Sequence, residues 1–128
     1  MASVTKSKHF DRSAVEVWKQ IGNFDGLHTW HPAIAATREF EGGRRRDLTL
    51  GDGGHILETL LDQGDTFYSY RIDESPLPVA NSESTIKVRD EGDGSVLEWT
   101  ATFQPDGATE QEAGELLGGI FQVGIDNL

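Results

Sequence analysis

From Ile34 to Phe103 the apolar residues of this chain fall in short alternating stretches, separated by turns rich in glycine and aspartate. A period near two commits this region to strands, because successive side chains of a strand face opposite sides while a helix needs a period near 3.6. Six strands are predicted: Ile34 to Glu41, Arg44 to Leu50, His55 to Asp62, Thr66 to Asp73, Glu83 to Arg89 and Val96 to Phe103. Gly51-Asp-Gly-Gly54, Gln63-Gly64 and Asp90-Glu-Gly-Asp-Gly94 supply turn chemistry between neighbours. Regular spacing of this kind predicts one antiparallel meander.

The two ends behave differently. Residues 2–10 alternate weakly and read as an opening strand. Ser13 and Glu16 have the spacing of a capping box, with Asp11 as a rival cap. Ala14, Val17, Trp18 and Ile21 then form one apolar helical face, and Gly22 stands where a glycine commonly ends a helix. A second helical turn is expected within 23–30, stopped by Pro32. The segment Ala108 to Leu128 returns to helical spacing at Leu117, Ile120, Phe121, Ile125 and Leu128. It carries Gly114, Gly118, Gly119 and Gly124, each costing a helix about 1 kcal/mol. Those glycines call for a reason, either close approach to the sheet or space left for something else. The segment reads as running to Leu128 with no capping residue after its last turn.

A length of 128 residues predicts a single domain, 1–128. With 22 acidic against 11 basic residues the net charge is −11, which repels phosphate backbones and argues against nucleic-acid partners. There are no cysteines, so disulfides and thiol nucleophiles are excluded. No apolar run approaches membrane-spanning length and no leader is evident, so a cytoplasmic protein without membrane insertion is expected. None of the serines has a nucleophile-elbow context. The glycines at 51–54 precede a strand rather than a helix and read as a turn, not a phosphate loop.

The pattern Val17-Trp18-x-x-Ile21-x-x-Phe24-x-x-Leu27-x-x-Trp30-His31-Pro32 resembles the opening of small START-like proteins. Gly43-x-x-Arg46-x-Leu48, Gly54-His-Ile-x-Glu58-x-Leu60, Tyr70-x-Ile72, Pro76-Leu-Pro78 and Trp99-x-x-x-Phe103 follow in register. The resemblance is to the START-like or SRPBCC helix-grip superfamily, also labelled polyketide cyclase/dehydratase and lipid transport, in its small bacterial branch. It implies an α+β helix-grip fold: a curved antiparallel sheet of six to seven strands wrapped around a long C-terminal helix, with two short helices after the first strand. It further implies an internal cavity between sheet and helix that binds a hydrophobic small molecule, with cyclase or dehydratase activity as the alternative. A nuclear-transport-factor-like cone is the rival fold, which a strand at 108–128 would favour.

Four groups of side chains are candidates for chemistry. Glu58 shares a strand face with Ile56 and Leu60, while His55, Leu57 and Leu61 share the other, so the pattern leaves its facing open. If it faces inward it needs a partner, and Arg46 is the candidate. Tyr70, Trp99 and Phe121, with Trp30, are expected to line a void under the glycine-rich helix. Trp30 and His31 are the residues of the Asn23–Pro32 corner expected to touch a ligand. For an enzyme, Glu58 or His31 would be the acid/base, with Tyr70 or Arg46 holding an oxyanion. His28 and His31 stand three apart near Asp25, but packing or hydrogen bonding is favoured over metal binding, so no metal and no cofactor are expected. Arg44-Arg-Arg46 reads as local charge balance. Either a monomer or a homodimer is compatible with these features.

Overall fold

The computed structural model describes residues 2–128, which begin with strand β1 (Ala2–Phe10), helix α1 (Ala14–Ile21) and a 3-10 helix (Phe24–Thr29). Strands β2 (Ile34–Phe40), β3 (Arg45–Leu50), β4 (His55–Gln63), β5 (Phe67–Glu74), β6 (Val79–Glu91) and β7 (Gly94–Pro105) follow. The chain closes with helix α2 (Glu110–Asp126). All seven strands form one antiparallel sheet in the order β1-β7-β6-β5-β4-β3-β2, so β1 and β2 are its edges. Register shifts in β2, β4 and β6 mark bulges, and bulges bend strands and raise their twist. The sheet curls accordingly, and α2 packs across it against β1 and β7.

The core lies between the inward face of the sheet and the helices. Leu97, Trp99, Ala101 and Phe103 of β7 and Ile86 and Val88 of β6 are buried. Ala14, Val17 and Ile21 of α1 are buried too, as are Leu117, Phe121 and Ile125 of α2. Each set follows its own period, two in the strands and 3.6 in the helices. No helix among the described residues is long and apolar enough to cross a membrane.

Several local expectations need correcting. The last hairpin is longer than predicted: β6 begins at Val79, and a bulge with Asn81 at φ 50° carries the strand past the polar stretch before Glu83. Gly22 is not left-handed (φ −78°); it is small because the Trp18 indole lies over it. Ser13 accepts the Glu16 N–H at 3.3 Å, and the Ala14 N–H is taken by Asp90 at 2.8 Å. A full reciprocal capping box occurs instead at Thr109 and Glu112, at the start of α2.

The glycines of α2 divide into two kinds. A Cβ on Gly118 would meet Val4 and Lys6, and one on Gly124 would lie 2.9 Å from His31 Nε2. A Cβ on Gly119 would meet nothing within 4 Å. Gly119→Ala is therefore expected to stabilise the fold by up to about 1 kcal/mol. Gly124→Ala is expected to cost about 1–3 kcal/mol through overpacking. Urea denaturation of the two variants checks this, and equal effects would contradict it.

Candidate functional site

The β3–β4 register sets Arg46 opposite Glu58, on the strand faces that turn toward the helices. Leu48 and Ile56, the neighbouring pair on that face, are buried, which settles the facing of Glu58 as inward. Arg46 is 0% exposed and Glu58 only 4%. Arg46 Nε donates to Glu58 Oε1 at 2.8 Å, and Nη2 stands 2.6 Å from the same oxygen. Nη1 donates to the Phe24 carbonyl at 2.6 Å and to the Tyr68 hydroxyl at 3.3 Å. The guanidinium lies 4.1 Å from the centre of the Phe24 ring and 5.0 Å from that of Tyr70. A planar cation thus meets a carboxylate at its edge and aromatic faces around it, the two partners that guanidinium chemistry suits best.

Burial pushes the Glu58 carboxyl above the usual range, and the Arg46 charge and hydrogen bonds pull it partly back. Burial also opposes the Arg46 cation, but Tyr68, Glu58 and Tyr70 more than offset it, so Arg46 keeps its proton. The Tyr70 phenol is raised first by its own burial and then by Glu58, and it stays neutral. Its hydroxyl accepts from Trp99 Nε1 at 3.0 Å. That bond joins the ion pair to a second cluster.

In the second cluster Trp99 stacks on Phe121 of α2, with centroids 4.3 Å apart and planes 10° from parallel. Trp30 packs against Trp99 at 5.6 Å. His31 is buried, 1% exposed, and points away from solvent. Its Nε2–H donates to the Ile120 carbonyl at 2.7 Å, while Nδ1 accepts from the Ala33 N–H at 3.2 Å. Two backbone partners of opposite kind select the neutral imidazole. Burial lowers its pKa, against the pull of the Ile120 carbonyl. One residue earlier, the Trp30 carbonyl accepts from Asn127 at 2.9 Å, so this corner ties down the C-terminal end of α2. His28 turns the other way, its Nδ1 lying 3.0 Å from Thr37 Oγ1, so the two histidines diverge.

The structure brings Arg46, Glu58 and Tyr70 into one cluster and Trp30, His31, Trp99 and Phe121 into the other, with the Tyr70–Trp99 bond between them. The rings of Trp30, Trp99 and Phe121 are in mutual contact, and Tyr70 is joined to Trp99 by its hydroxyl. Depressions of about 360 to 930 Å³ at the described residues are lined by other side chains. Tyr68 and the Phe24 carbonyl complete the Arg46 shell and were not singled out from sequence. Tyr68 shares the alternation of Tyr70, which could have flagged it. No sequence signal points to a backbone carbonyl of the 3-10 helix.

The chain matches the family model described as polyketide cyclase / dehydrase and lipid transport over residues 1–128, and it belongs to that family. No curated protein matches it. Among solved structures, the protein XoxI from Bacillus cereus is 37% identical, with 99% of this chain and 92% of that chain covered and a TM-score of 0.95. An uncharacterised protein from Bacillus thuringiensis is 38% identical, covering 99% and 96%, with a TM-score of 0.95. A START superfamily protein from Mycobacterium smegmatis, 14% identical and covering 99% and 94%, shares the fold at a TM-score of 0.79.

Two outcomes follow from this geometry. Arg46→Ala leaves Glu58 buried without its cation and is expected to cost about 3–5 kcal/mol, whereas Arg46→Met with Glu58→Leu recovers most of the loss. Urea titrations of both measure the difference, and no recovery in the double variant would contradict it. His31 is held neutral in the fold, with a pKa below the ordinary 6.5. Its contribution is fully present above that value and is lost as pH falls toward the folded pKa, because the unfolded chain then binds the proton the fold refuses. Stability measured from pH 7.5 to 5 should therefore fall more steeply in the native protein than in His31→Gln. Parallel curves would contradict this.

Proposed function

We propose that this member of the polyketide cyclase / dehydrase and lipid transport family binds a hydrophobic small molecule between the sheet and α2. The observation that carries the reading is the Arg46–Glu58 pair, buried on the concave face beneath a layer of aromatic rings. An apolar interior gains little from such a pair in stability alone, since well-packed hydrophobic residues do as well or better. As a fixed polar anchor among Phe24, Tyr68 and Tyr70, it would orient a ligand whose affinity comes mainly from burial of apolar area. With the rings in mutual contact, the ligand would enter by displacing one of them, and the Trp99–Phe121 stack is the contact that spans sheet and helix.

The cyclase-like alternative asks Glu58 or His31 to exchange a proton with a substrate. Both are engaged by their own chain, Glu58 by Arg46 and His31 by two backbone groups, so binding is the better supported reading. Native mass spectrometry of the purified protein is expected to find a co-purifying small molecule. Titration with a naphthalene sulfonate dye, followed by NMR of the indole N–H signals, locates it. Of the three tryptophans, Trp30 and Trp99 should shift and Trp18 should not. No bound mass and no shift at Trp99 would overturn the reading.

A further inference from the structure

A trough of about 930 Å³ runs beside β1 and α2, and its walls show what kind of occupant it fits. Ser3 and Val4 are consecutive, so their side chains point to opposite faces of the strand, yet both line the trough. The trough therefore lies between α2 and the edge of β1, with Val4 and Lys6 on the strand face that meets the helix. That edge is open: β1 pairs with β7 on one side and is the terminal strand of the sheet. Every second residue of such a strand turns its N–H and C=O away from its one partner.

The opposite wall is the face of α2 bearing Gly114, Gly118 and Gly119. Gly118 is needed by the fold, since a Cβ there meets Val4 and Lys6. The other two are not. Gly119 has nothing within 4 Å, and Gly114 would make only an ordinary contact with Phe103 at 3.5 Å. Each costs the helix about 1 kcal/mol, and together they keep the wall low where another backbone could pass.

Charge then selects the occupant. Lys6, the central residue of β1, lines the trough, and no ion pair among the described residues includes it. Lys8, by contrast, donates to the Leu128 carbonyl at 2.6 Å. A second copy adding its own β1 antiparallel about the strand centre would set Lys6 against Lys6, a repulsive pairing of the sort that guards sheet edges. Glu110 and Glu115 on the helix rim disfavour further acid there, which confines a visiting carboxylate to the Lys6 position.

We propose that the β1 edge takes up an extended segment of a different polypeptide as an eighth strand, with an Asp or Glu of that segment meeting Lys6 and its backbone passing over Gly114 and Gly119. Main-chain hydrogen bonds supply the affinity in this mode, and the Lys6 contact supplies register. The site is separate from the interior cluster, so its test is independent of small-molecule binding.

The test titrates 15N-labelled protein with synthetic peptides of alternating valine and threonine, matched to the 9 residues of β1 and carrying one glutamate at successive positions. At least one register should shift the β1 amides and slow their hydrogen exchange. Lys6→Glu should weaken that peptide by about tenfold or more, and its lysine counterpart should then bind instead. Gly119→Leu fills open space without disturbing the core, so it should leave the fold intact and block binding. Absence of binding across the set, or binding indifferent to both substitutions, overturns the proposal. So does a solution dimer that protects the β1 amides, which would assign the edge to a second copy.

Discussion

Arg46 and Glu58 hold a charged pair where the sheet meets the 3-10 helix, and the surrounding structure is arranged to make that tolerable. Taking two ions out of water costs several kcal/mol each, which their attraction repays only if the geometry is good and the remaining hydrogen-bonding capacity is met. The β3–β4 register supplies the geometry by placing the two residues directly opposite. The Phe24 carbonyl and the Tyr68 hydroxyl take a further guanidinium nitrogen, and the rings of Phe24, Tyr68 and Tyr70 face the charge. The 3-10 helix is therefore fastened to β3 by a polar contact as well as by packing. A slip of one residue in β3 or β4 would turn one charge outward and leave the other alone in the core.

From that centre, order passes to α2 through a short chain of contacts. Tyr70 lies against Arg46 and accepts from Trp99, and Trp99 stacks on Phe121. The helix is held a second time, near its C-terminal end, by His31 at Ile120 and by Asn127 at the Trp30 carbonyl. Gly124 admits the His31 ring, so the last turns of α2 and the Trp30–His31 corner are built for each other. These ties fix position along the helix in a way that apolar contacts, which lack direction, do not.

Most of the architecture was legible because it depends on periodicity. Alternation from Ile34 onward located β2 to β7, weaker alternation over residues 2–10 located β1, and helical spacing before Gly22 and after Ala108 located α1 and α2. The resemblance carried by Trp30-His31-Pro32, Glu58 and Trp99 supplied the curvature and the grip. The facing of Glu58 was not legible, since Ile56 and Leu60 on one face and Leu57 and Leu61 on the other gave equal apolar weight; only the pairing with Arg46 breaks the tie. The glycines of α2 were ambiguous for a similar reason. Close approach at Gly118 and Gly124 and open space at Gly119 leave the same letter in the sequence and differ only in what stands opposite. That both ring nitrogens of His31 serve backbone groups was not legible either, since the Ile120 carbonyl is brought close only by the fold.

The contacts among the rings also bear on how the proposed ligand would be admitted. Displacing His31 would strand buried polar groups, at about 1–3 kcal/mol for each group left unpaired. Parting Trp99 from Phe121 strands none, because the ligand's own apolar surface can replace the lost ring contact. The Tyr70–Trp99 hydrogen bond can persist through that exchange, since it joins two strands of the sheet and does not involve the helix. The polar ties at Ile120 and Asn127 flank Phe121 and hold the helix backbone, so the stack opens by rotation of the Phe121 side chain rather than by movement of α2. On the proposed reading, the division of labour between directional and non-directional contacts makes that stack the least costly point of entry.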